Sequence, residues 1–80
     1  MFINKANDGK NNVCRKAVYA KRMEMKISQK KLADLLQLSG LDVDKNAIQK
    51  LEAGERFVTD IELKYLSKVL NLSYEELLGE

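Results

Sequence analysis

Helix-start signals punctuate most of this chain, and they leave little room for any other kind of structure. Thr59-Asp60-Ile61-Glu62 and Ser73-Tyr74-Glu75-Glu76 are capping boxes, in which a hydroxyl and a glutamate three residues later satisfy each other's backbone N–H groups. Ser28 and Asp44 are further N-cap candidates, each just ahead of apolar residues three and four positions apart. The chain has no Pro, few Gly and no sustained alternation of apolar and polar residues, so the case for a sheet is weak. The expected fold is all-α with five helices. Helix 1 spans about Val13 to Met25, with Cys14, Val18 and Met25 on one stripe and Arg22 at its edge. Helix 2 follows Ser28, carries Leu32, Ala33, Leu35 and Leu36, and ends near Leu38 with Gly40 as its stop. Helix 3 follows Asp44, where Val43 and Ile48 form a hydrophobic staple across the cap. Helix 4 buries Leu63, Leu66, Val69 and Leu70, and helix 5 offers Leu77 and Leu78. Residues 1–12, polar and rich in Asn, read as a flexible arm, and residues 13–80 as a single domain without internal repeats.

Eighty residues are near the lower limit for a single hydrophobic core and spare few for a catalytic pocket. There is no His, Cys14 lies on an apolar stripe, and no Ser sits beside a candidate base, so an enzyme is not expected. Without His, and with a single Cys, neither a zinc site nor an internal disulfide is expected, and no cofactor is implied. No apolar run reaches the length of a membrane span, and the opening MFINKANDGKNN lacks the apolar stretch of a signal peptide; a cytoplasmic location is expected.

The net charge of +2 is unevenly placed. Residues 1–26 carry +5, residues 27–56 are neutral, and residues 57–80 carry −3. One end of the molecule is therefore suited to an anion and the other is not. Helix 3, NAIQKLEAGER over residues 46–56, has two faces: Ile48, Leu51 and Glu52 fall on one side, and Asn46, Gln49, Lys50 and Ala53 on the other. Positive charge at a helix N-terminus opposes the macrodipole at about 0.3–1 kcal/mol. Yet Lys30 and Lys31 occupy the first turn of helix 2 and Lys45 that of helix 3, whereas helices 4 and 5 place acids there. Helix N-termini with added lysines suit phosphate, and two of them beside an Asn/Gln face suggest DNA.

The stretches SQKKLADLL (28–36) and VDKNAIQKLEAGER (43–56) resemble the phage-repressor and Cro type of helix-turn-helix domain, also called lambda-repressor-like or XRE. The resemblance covers about Val13 to Leu78 and includes Ala33 at the close helix crossing, the Ile48–Glu52–Gly54 spacing, Arg56, and the terminal NLSYEELLG. It implies that Arg22 pairs with Glu52, locking helix 1 to helix 3. It also exposes one departure. Six residues, QLSGLD, separate Leu36 from Val43 where the common motif has a single glycine. The turn is thus lengthened, and Leu38 and Leu41 are expected to pack it. Val58 stands where many relatives have proline, a difference read as neutral.

In that family the second helix of the motif enters the major groove while the first crosses the backbone. Gln49 is then the leading base reader, since an amide matches adenine N7 and N6, with Asn46, Lys50 and Lys45 beside it. Gln29, Lys30, Lys31 and Arg56 are assigned to phosphate. Acids near phosphate repel, but Asp44 is expected to turn inward as the cap. The expected function is a sequence-specific transcriptional regulator, read as a repressor. It would bind double-stranded DNA as a homodimer, assembled at the latest on a two-fold symmetric operator, through a contact at Tyr74, Leu77 and Leu78. Neither an effector domain nor a small-molecule ligand is expected. The alternative is a helical protein-interaction module, such as an antitoxin or regulator subunit, that keeps the fold with weak or no DNA binding.

Overall fold

The computed structural model describes residues 14–78, so the expected arm and Val13 lie outside the described residues. The described chain is all-helical: α1 (Arg15–Met25), α2 (Gln29–Ser39), α3 (Lys45–Glu52), α4 (Asp60–Leu70) and α5 (Tyr74–Leu78). Each helix start anticipated from Ser28 onward has its side-chain bond. Ser28 accepts from Lys31 N–H, Asp44 from Ala47 N–H, and Thr59 with Glu62 and Ser73 with Glu76 close reciprocal boxes. Such caps are worth about 0.5–2 kcal/mol each.

The helix ends follow one pattern with a telling exception. Lys26, Gly40, Gly54 and Asn71 adopt positive φ, and the next residue donates its N–H five positions back: Ile27 to Arg22, Leu41 to Leu36, Glu55 to Lys50 and Leu72 to Ser67. This is the Schellman arrangement, in which an apolar residue past the end folds back onto its helix. Ile27, Leu41 and Leu72 do so and pack on the core. After α3 the corresponding residue is Glu55, which is exposed.

The core draws Cys14 and Val18 from α1, Leu32, Ala33 and Leu36 from α2, Ile48 and Leu51 from α3, and Leu63, Leu66 and Leu70 from α4, closed by Val43, Val58 and Leu77. Helix α2 packs on α3 and α4, and α1 spans α3, α4 and α5. The Val43–Ile48 staple is buried and sets the angle at which the chain enters α3.

Six apolar side chains differ from expectation, among them Val69, which is only partly buried against the core. Met25 is 37 % exposed because α1 ends beside it at the left-handed Lys26, and Ile27 turns inward instead. Leu35 is only partly buried. Leu38 does not pack the long turn: Gln37, Leu38 and Ser39 continue α2, and Leu38 lands on its outer face, 84 % exposed. The turn is held by Leu41 and by the Gln37 side chain, whose Nε2 donates to the Val43 carbonyl at 2.6 Å. Gly40, at φ 112°, closes α2, and a Cβ there would be strained in that conformation and lie 3.5 Å from the Tyr65 hydroxyl. Val58, read as neutral, is a fully buried core residue, and Leu77 is likewise buried inside its own domain, which removes it from any contact between subunits.

Candidate nucleic-acid interface

The hinge of the site is a buried ion pair. Arg22 comes from α1 and Glu52 from the last turn of α3, and their side chains meet because both helices turn these edges toward the same seam. Arg22 Nε donates to Glu52 Oε2 at 2.7 Å and Nη2 to Glu52 Oε1 at 3.0 Å, while Nη1 donates to the Ile27 carbonyl at 2.9 Å. Arg22, only 8 % exposed, thus has a partner for each guanidinium nitrogen. Hydrogen bonding to Glu52 holds its pKa above the ordinary arginine value. Its guanidinium also lies 5.5 Å from the centre of the Tyr19 ring.

Gln29 and Arg56 are both engaged within the domain. Gln29, assigned to phosphate, turns inward, and its Nε2 donates to Glu52 Oε1 at 3.1 Å. An acid that already holds one guanidinium has a lone pair left for a neutral amide, and α2 begins next to it. The Gln29 backbone N–H lies in the first turn of α2, where intrahelical partners are lacking. Arg56, also assigned to phosphate, is bound to Glu62, whose other carboxylate oxygen accepts from Thr59 N–H in the α4 cap. Its guanidinium therefore fastens the loop after α3 to the start of α4. Glu62 holds a cation as well as its cap partner Thr59, and Glu52 holds Arg22 together with Gln29, which is distant in sequence.

The outer face of α3 is different in kind. Lys45, Asn46, Gln49 and Lys50 are all exposed, and among the described residues none makes a side-chain hydrogen bond or ion pair. Asn46, Gln49, Lys50, Ala53 and Glu55 line one shallow depression, and a second runs from Asp44, Asn46, Ala47 and Lys50 to Phe57. At the start of α2, which packs on α3, Lys31 is exposed without a side-chain partner among the described residues and Lys30 holds Asp34 at 3.2 Å on an exposed flank. Neither α2 nor α3 has an acid in its first turn. Asp44 is turned to its cap, accepting from Ala47 N–H at 2.8 Å. Phe57, half exposed, and Glu55 belong to this surface too, and sequence reasoning passed over both because they lie beyond the helical pattern.

Elsewhere, burial pushes the Cys14 thiol up to about 12, so it is held as the neutral thiol. Among the described residues no cluster of His, Cys, Asp or Glu suits a metal, and no helix is long and apolar enough to cross a membrane.

The family model described as Helix-turn-helix matches residues 18–77, which takes in the ion pair, both lysine-bearing helix starts and the whole of α3. No curated protein and no solved structure matches the chain.

Proposed function

Because the chain belongs to the helix-turn-helix family of the Cro/XRE type, whose members are DNA-binding regulatory domains, we propose that it is a sequence-specific repressor that lays α3 in the major groove. The observation that carries this reading is the contrast between the faces of α3. The inner face commits its acid to Arg22 and Gln29, whereas the outer face keeps Lys45, Asn46, Gln49 and Lys50 unengaged among the described residues. Asn and Gln left without partners on a short helix are suited to adenine N7 and N6, and Lys to guanine O6 and N7. Lys30, Lys31 and the backbone N–H groups at the start of α2 hold phosphate and set register.

One such domain reads too few base pairs for useful specificity, so a homodimer on a two-fold symmetric operator follows, with half-sites about one helical turn apart. With Leu77 buried, the contact centres on Tyr74 and the apolar groove formed by Leu63, Leu78 and the stem of Lys64. The test is selection from a pool of random duplexes on the purified protein, followed by titration of the selected site. Gln49→Ala should cost about 1–3 kcal/mol on that site and relax preference at one position. Equal loss on selected and scrambled duplexes would remove α3 as a reader and favour a protein-interaction role for the same fold. A footprint confined to one asymmetric half-site would refute the dimer.

A further inference from the structure

We infer, on the premise that α3 reads the major groove as proposed above, that Phe57 is a second reader and recognises thymine through its 5-methyl group. Gly54 closes α3 at φ 78°, with Glu55 N–H donating to the Lys50 carbonyl at 2.9 Å. This reversal folds the following loop back along the helix. Phe57 therefore shares a depression with Asp44, Asn46 and Ala47, from the start of α3, rather than lying beyond its end.

The ring has no role in the core. It is 50 % exposed, while its neighbour Val58 is fully buried. The other three helix ends fold their trailing apolar residue inward, as Ile27, Leu41 and Leu72 show. Here the fold leaves an aromatic ring on the surface, across from an unengaged Asn46 amide. Two carboxylates, Asp44 and Glu55, and two cations, Lys50 and Arg56, line the same depression, so their formal charges cancel and the site does not select an anion. What suits such a site is an uncharged base edge. In the major groove the 5-methyl of thymine is the one apolar group that a base presents, and adenine is the base an Asn amide matches. Asn46 then reads an adenine while Phe57 covers a thymine at the same step.

The experiment replaces each thymine of the selected duplex in turn with deoxyuracil, which keeps every hydrogen-bonding group and removes only the methyl. Wild-type protein should lose about three- to fourfold in affinity at one position, the size expected for burying a single methyl. Phe57→Ala should bind thymine and uracil duplexes alike at that position while remaining folded by circular dichroism, and Phe57→Leu should retain part of the discrimination. Uracil tolerated at every position, or a penalty that persists in Phe57→Ala, overturns the assignment of Phe57 while leaving reading by α3 intact. Failure of wild-type protein to prefer any duplex over a scrambled one overturns both.

Discussion

Replacing Glu52 with alanine removes three hydrogen bonds at once, two from Arg22 and one from Gln29, and leaves the guanidinium with only the Ile27 carbonyl. The side chains of Arg22 and Glu52 are 10 % and 6 % exposed, so water cannot readily replace the lost partner. Breaking a buried pair on one side costs about 3–5 kcal/mol, because the surviving charge stays desolvated and uncompensated. A domain of this length has a total stability of about 4–12 kcal/mol. Each kcal/mol corresponds to about 4–8 °C in a domain of this size. Glu52→Ala should therefore lower the melting temperature by at least about 12 °C, read by far-ultraviolet circular dichroism and by urea titration. Glu52→Gln should lose less, since an amide oxygen still accepts from Arg22. The double replacement Arg22→Met with Glu52→Leu should recover most of the loss, because it removes both charges and fills their volume. A Glu52→Ala protein within about 0.5 kcal/mol of wild type, the range of ordinary surface substitutions, would show that the pair does not hold α1 to α3.

Lys31→Ala and Arg56→Ala should separate cleanly. The former should not lower the melting temperature, since it removes a charge that opposes the helix dipole, and should reduce the salt slope of log affinity by about 0.9, one released counterion, on selected and scrambled duplexes alike. The latter should instead lower the melting temperature, because it frees Glu62 from its cation at the α4 cap. Cys14 has its pKa raised from 9.0 to about 12 by burial, so the unfolded thiol ionises first. Its contribution is complete below pH 9 and is lost as pH rises toward 12, so stability relative to Cys14→Ala should fall by about 1.4 kcal/mol per unit across that window. An alkaline denaturation series on the two proteins measures this, and parallel curves would refute it. Lys26→Gly should stabilise more than Asn71→Gly, because both sites have positive φ but asparagine already tolerates that region. Paired thermal melts would test the order, and a larger gain at Asn71 would contradict it.

Although α1 begins at Arg15 rather than near Val13 and α3 ends at Glu52 rather than running to residue 56, the sequence by itself determined the five helices, their starting residues from Ser28 onward and most of the buried stripe. These follow from short-range physics: a cap bonds within three residues, and a face repeats every three or four. It also pointed to the outer face of α3, since Asn46, Gln49 and Lys50 share a side of one helix whatever the rest of the chain does. Only the tertiary structure decided which polar side chains are spoken for. Gln29 and Lys31 look alike as exposed first-turn residues of α2, yet Gln29 is claimed by Glu52, twenty-three residues away, and Lys31 is not. Arg56 is claimed by Glu62 on the next helix, Leu77 by the core, and Leu38 by nothing, because the long turn was partly absorbed into α2. A side chain's commitment depends on which carboxylate or cavity packing brings within a few ångströms of it, and no local pattern encodes that distance.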